Sequence, residues 1–203
     1  MASTGLSLRD QQRASTRERL LQAAREVFTE SGYIDATVED IAGRAGVSRA
    51  TFYLHFGGKA ELTMALIQKG ERWAVERYKE LDKLLTSPGG RTRAKLREWL
   101  GQWLEPWRGG AAYNAAVAQA ASVEPEIEQR LLASSQALIA ALEDALEQRS
   151  SASRAEARGR ALMLEVMTQR LFQLASHDKL PVSDEALLDF LADLWESHFL
   201  PPA

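Results

Sequence analysis

Thr37-Val-Glu-Asp-Ile-Ala-Gly-Arg-Ala-Gly-Val-Ser-Arg-Ala-Thr-Phe-Tyr-Leu-His-Phe56 reads as two short helices joined by a tight turn. Thr37 can cap the first, with Asp40 at the reciprocal capping-box position where Glu is more usual. Ile41, Ala42 and Ala45 form its inner face, and the two alanines let another helix cross closely. Gly46 stands where the turn requires a left-handed residue. Val47 plugs the corner and Ser48 caps the next helix. That helix is short, Arg49 to about His55. Phe52 and Phe56, four apart, face the core. Arg49, Ala50, Thr51, Tyr53 and His55 fall mostly on the other side. They offer a long cation, a small apolar contact and three hydrogen-bonding groups. A helix laid in a DNA major groove needs these chemistries to read bases and grip phosphates. Gly57-Gly58-Lys59 then opens a further helix, whose first N–H groups and the lysine together make a phosphate seat. Plainer roles stay open: His55 as a satisfied helix-end histidine, Tyr53 as core, Arg49 and Lys59 as solvated charges. Arg44 reads as a solvated face.

Outward from this stretch, apolar residues recur at spacings of three and four almost throughout. Ala, Leu, Glu, Arg and Gln dominate, and β-branched residues are sparse. The predicted fold is therefore all-α. Residues 1–14 are expected to form a flexible basic arm. Arg9, Arg13 and Arg17 would be either a minor-groove arm or a solvated tail. A first helix is predicted over Thr16–Ser31, stopped by Gly32, a second over Val38–Ala45 and a third over Arg49–His55. A fourth over Lys59–Leu85 ends at the breaker Ser87-Pro88-Gly89-Gly90. Five more follow over Arg91–Trp107, Ala111–Ser122, Pro125–Gln148, Ser153–Ser176 and Asp184–Phe199, with Pro201-Pro202 beyond the last.

The net charge of −3 argues against a nucleic-acid binder until its distribution is considered. Residues 1–25 hold 5 Lys/Arg against 2 Asp/Glu, whereas residues 71–203 hold 16 against 20. A basic start ahead of an acidic body suits a small DNA-reading module joined to a partner domain. The absence of cysteine excludes disulfides, thiolate metal sites and thiol catalysis. There is no apolar run of membrane-spanning length and no signal core at the start, so a cytoplasmic location is expected.

The pattern Thr37-x-x-Asp40-Ile41-Ala42-x-x-Ala45-Gly46-Val47-Ser48-x-x-Thr51-x-Tyr53-x-His55-Phe56-x-x-Lys59-x-x-Leu62 resembles the signature of TetR-family regulators. It follows a helix carrying Arg17-Glu18-Arg19-Leu20, as in that family, and the likeness spans roughly residues 15–65. It implies a three-helix DNA-binding domain with a helix-turn-helix, expected at 15–60. A six-helix ligand-binding and dimerisation bundle would occupy 61–203. By the same resemblance, Thr37, Tyr53, His55 and Lys59 mostly touch phosphates. Ser48, Arg49, Ala50 and Thr51 face the groove.

The body carries no catalytic constellation, no metal-ligand spacing among His55, His177 and His198, and no Gly-rich phosphate loop. Neither an enzymatic activity nor a cofactor is expected. Four of five tryptophans follow residue 90. Leu96, Leu100, Trp103 and Trp107 form one stripe, facing Leu164, Met167 and Leu171 on the eighth helix and Leu138 and Ile139 on the seventh. With Trp195, this set is either plain core or the wall of an apolar effector pocket. Tyr113, Asn114, Thr168 and Gln169 could supply polar anchors. The fragments Ala121-Ser-Val-Glu124, Leu171-Phe172 and Leu194-Trp195 are similar to EthR-type members of the family, which implies a long apolar tunnel. The family also implies a homodimer through helices eight and nine, where Leu187, Phe190, Leu191 and Leu194 form an apolar stripe. The expected function is transcriptional repression on a pseudo-palindromic operator, relieved by a small, largely apolar effector, with helix four as hinge. A helical-bundle enzyme and an architectural DNA binder stay open as rivals.

Overall fold

The computed structural model describes residues 7–86, 93–147 and 153–199. Among the described residues all regular structure is helical: α1 Leu8–Asp35, α2 Val38–Arg44, α3 Arg49–Tyr53, α4 Lys59–Thr86, α5 Arg93–Gly109, α6 Ala111–Val123, α7 Pro125–Glu147, α8 Arg154–Ser176 and α9 Asp184–Phe199. The all-α expectation holds, and most helix ends fall within two residues of their predicted places. The expected breakers at 87–90 and 201–202 lie outside the described residues.

The start of α1 corrects the sequence reading. Residues 8–14, expected within a flexible arm, are its first two turns. Ser7 caps them, its hydroxyl accepting the Asp10 N–H at 3.2 Å. This stretch is polar all round, so no apolar periodicity announced a helix there. At the other end Gly32 leaves helical geometry at φ +78°, where the sequence placed the stop, and a short turn follows to Asp35.

The chain forms two compact units, one comprising the residues up to Gln68 together with Ala112–Leu131, the other Lys69–Ala111 and Leu132 onward. In the first, Leu20, Ala24 and Phe28 of α1 pack with Ile41, Phe52, Phe56 and Leu62. Ala116 and Ala120 of α6 and Ile127 of α7 are fully buried in the same core. The unit thus departs from the expected division at 60/61. Small residues such as Ala116 and Ala120 do not declare in sequence what they pack against.

The second unit has its own core, including Leu81, Leu96, Leu100, Leu142, Leu164, Phe172, Leu191 and Trp195. Its α5 and α9 are joined by ion pairs. Arg97 Nε donates to Asp189 at 3.0 Å, and Arg93 pairs with Asp189 and Asp193. Arg108 Nε donates to Asp184 at 2.6 Å. Such partly exposed pairs add little individually and serve mainly to fix register. Among the described residues no helix is long and apolar enough to cross a membrane.

Candidate functional site

The turn between α2 and α3 is built as its sequence requires. Thr37 Oγ1 accepts the Asp40 N–H at 3.1 Å, and Asp40 Oδ2 accepts the Thr37 N–H at 3.0 Å, which completes the capping box. These bonds to Thr37, the side-chain one foremost, hold the Asp40 carboxyl below its ordinary pKa. Gly46 sits at φ +65°. The Val47 N–H then donates back to the Ala42 carbonyl at 3.0 Å. Arg19 of α1 reaches the same corner and donates to the carbonyls of Ala45 and, at 3.3 Å, Gly46. Sequence reading missed this role. An arginine three turns into a helix carries no mark of the turn it will bind 27 residues later.

Ser48 caps α3 through the Thr51 N–H at 3.1 Å. Its hydroxyl also lies 2.9 Å from that of Thr51, so both side chains are engaged in shaping the helix start. Phe52 and Phe56 are buried and 6.0 Å apart. Arg49, Ala50, Tyr53 and Leu54 are exposed, Leu54 at 73%. Thr51 and His55 are half-buried. Leu54, absent from the sequence-based set, is the largest apolar side chain on this face. Arg49 pairs with Glu39 at 2.5 Å and lies over the Tyr53 ring. Arg17 stacks on Phe56, 4.1 Å from the ring centroid, and donates to the His55 carbonyl at 3.5 Å. Burial, then the charges of Arg13 and Arg17, hold His55 below its ordinary pKa. Arg44 is bound to Glu30 at 2.6 and 2.8 Å and to Glu26, which agrees with its reading as a paired surface charge.

Lys59 departs from expectation. Its Nζ donates to the carbonyls of Tyr33 at 2.5 Å and Ala36 at 2.8 Å, and lies 4.2 Å from the Tyr33 ring centroid. The ammonium therefore ties the end of α1 to the start of α4, where open carbonyls attract a cation. The neighbouring Gly57 N–H is also occupied, by Glu61 Oε2 at 2.6 Å. Within the chain, the lysine and the Gly57 N–H of the expected phosphate seat are thus already bonded. Tyr33 is held in turn from α6 and α7. Its N–H donates to Gln119 at 3.0 Å and its hydroxyl to Glu124 at 3.1 Å.

In the second unit, nine of the ten candidate pocket residues belong to one apolar cluster. Leu96, Leu100, Leu138, Leu164 and Trp195 are buried in it, and Trp103, Trp107, Ile139 and Leu171 pack against it partly buried. Met167 does not join them. It is 41% exposed, one step round α8 from the inward line of Leu164 and Thr168. Two clefts border this cluster. One of about 490 Å³ lies between α4 and α7, lined by Val75, Tyr78 and Ala141 among others. The other, about 220 Å³, lies between α4 and α5 against Arg77 and Trp99. None of the ten candidates lines either cleft. Among the proposed polar anchors, Thr168 accepts the Trp195 indole N–H at 3.0 Å and Gln169 bonds Glu165. Tyr113 instead lies in the first unit under Arg25. Tyr78 and Glu165 went unrecognised. Tyr78 continues an inward line with Ala74 and Leu81, and a glutamate on a helix reads as solvated until its burial is seen.

Residues 20–66 match the family model for bacterial regulatory proteins of the tetR family. Over this segment the chain is similar to the TetR family. The TetR-family likeness is densest over the same stretch in named relatives. Over 52 residues the chain is 48% identical to the transcriptional regulator SrpR of Pseudomonas putida, covering 26% of this chain and 24% of SrpR. It is 47% identical over 57 residues to the transcriptional activator FasR of Mycolicibacterium smegmatis, covering 28% and 26%. The repressor KstR2 of the same organism matches at 35% over 77 residues, 38% of each chain. The chain thus aligns with about a quarter to two fifths of these relatives' lengths. Solved structures extend the likeness of fold over nearly the whole chain. A TetR-family regulator from Mesorhizobium loti matches at a TM-score of 0.72 with 16% identity, covering 92% of this chain and 96% of that one. FadR of Bacillus subtilis, in complex with stearoyl-CoA, matches at 0.64 with 21% identity, covering 89% and 98%.

Proposed function

We propose that the chain is a homodimeric transcriptional repressor of the TetR type, acting in the cytoplasm. Two copies of α3 would enter successive major grooves of a pseudo-palindromic operator. The observation that carries this is the outward face of α3. Arg49, Ala50, Tyr53 and Leu54 face solvent while Phe52 and Phe56 anchor the segment from behind. One helix of this length contacts too few bases for specificity, so a two-fold pair on half-sites roughly 34–36 Å apart is the economical arrangement. An apolar strip on α8 supports the pair. Leu162, Met163, Val166 and Met167 are exposed side by side along it, and Phe190 of α9 is also exposed. Such strips mark association surfaces.

A small, largely apolar effector would enter the second unit and relieve repression. The density of aromatic side chains there favours this reading, as does the stearoyl-CoA carried by the FadR of like fold. An effector weakens DNA binding only by preferring a conformation that DNA disfavours. FasR is named an activator and KstR2 a repressor, so repression is the arm to be tested. The experiment is footprinting on the DNA upstream of the chain's own gene, followed by reporter expression from that promoter. Protection of an inverted repeat and lower expression with the protein present are expected. Equal affinity for random DNA across a salt series would overturn the reading, since electrostatic binding alone carries no sequence preference.

A further inference from the structure

Leu54 is 73% exposed, the most open large apolar side chain between Thr37 and Phe56. It follows α3 in helical geometry, at φ −72° and ψ −16°, and its N–H donates to the Ala50 carbonyl at 3.2 Å. Ala50 and Leu54 therefore stand one turn apart on the same face. Each is two positions from Phe52, about 160° round the helix, so the pair faces away from the buried Phe52 and Phe56. The crest of α3 is a methyl group and an isobutyl group.

The polar side chains flank this crest. Arg49 and Tyr53 lie to one side of it. Arg49 pairs with Glu39 of α2 at 2.5 Å, and its guanidinium lies 5.6 Å from the Tyr53 ring centroid. The Tyr53 ring sets its edge against Phe52, with centroids 5.4 Å apart. Thr51 and His55 lie to the other side, both half-buried. The Thr51 hydroxyl is 2.9 Å from that of Ser48, at the helix start.

At the floor of a major groove, this crest presents carbon. Most base edges there present only hydrogen-bond donors and acceptors. Pressing a leucine against them strips their water without returning a bond. Thymine alone among the four bases offers carbon, in its C5 methyl group.

We infer that Leu54, with the Ala50 methyl beside it, is a specificity-determining residue that reads the C5 methyl of a thymine in each operator half-site. The inference rests on the repressor reading of α3 and narrows the operator, since a T·A pair must lie under the crest. Leu54 stands outside the set of groove-facing positions that the family pattern implies, Ser48 to Thr51.

The test uses the full chain to select duplexes from a random-sequence pool. Thymines of the enriched repeat are then replaced, one symmetric pair at a time, by deoxyuridine, which lacks only that methyl group. At one such pair binding should weaken about fourfold per half-site, the scale of one buried methyl group, and about fifteenfold for the two together. L54A leaves the core untouched, because the side chain it shortens is exposed. It should bind the thymine and uracil duplexes alike, at about the affinity of the unaltered chain for uracil. Deoxyuridine without effect at every position overturns the inference and leaves specific DNA binding standing. So does a thymine preference that L54A retains, which would make Leu54 a support for the helix and place the reading elsewhere. Failure to enrich any sequence overturns the repressor reading itself, and the inference falls with it.

Discussion

Lys59 shows how one residue can match a family pattern and still be employed differently. The motif position implies a phosphate contact, but the ammonium is bonded to the Tyr33 and Ala36 carbonyls. K59M should therefore cost about 1.5–3 kcal/mol of stability in urea denaturation, the scale of hydrogen bonds to a charged group. The salt slope of operator binding should change little. A slope shallower by about one charge with unchanged stability would restore the phosphate role. His55 makes the converse case. Burial and the charges of Arg13 and Arg17 keep its imidazole below the ordinary value of 6.5, so the ring of the free protein is mostly neutral at pH 7. A neighbouring phosphate would raise that value, and binding would then take up a proton. Operator affinity should rise as pH falls through about 6.5, and H55Q should flatten the profile, as read by fluorescence anisotropy. Fold stability has the opposite sign. It is full above 6.5 and declines as pH falls towards the lowered folded value.

At the level of elements, the helix-turn-helix was legible because each of its parts is local. Caps, a turn glycine and two aromatics four apart all declare themselves within 20 residues, and Thr37, Gly46, Ser48, Phe52 and Phe56 behave as read. G46A forces an alanine to φ +65° and brings its Cβ to 3.1 Å from Arg19. About 1–2 kcal/mol should be lost, seen as a lower denaturation midpoint at unchanged slope. What escaped the sequence depends on distant partners. Arg19 binds a turn on another helix, Glu165 is buried by α4, and Met167 turns outward by one step of α8. Leu164 and Met167 share a spacing that fits one face, yet only packing decides how wide that face is. The start of α1 was missed for the opposite reason, since a capped polar helix has no apolar stripe to reveal it.

For the whole molecule, the proposed pairing of two copies would run along the exposed strip on α8. V166E places a charge in its middle, and the expected result is a monomer in sedimentation velocity. Operator affinity should fall by about tenfold or more, because two linked reading helices bind with an effective concentration that single ones lack. An unchanged dimer would move the interface elsewhere. The unit that carries α3 has a further consequence for anyone who would transplant it. Its core is sealed by Ala116, Ala120 and Ile127, which arrive more than 40 residues after Gln68. A fragment cut at Gln68 would have one flank of its oily interior open to water, together with the polar grip of Gln119 and Glu124 on Tyr33 lost. Grafting this reading head onto a foreign sensor therefore demands a second splice that brings residues 112–131 along, and a single-crossover chimera should precipitate or melt early.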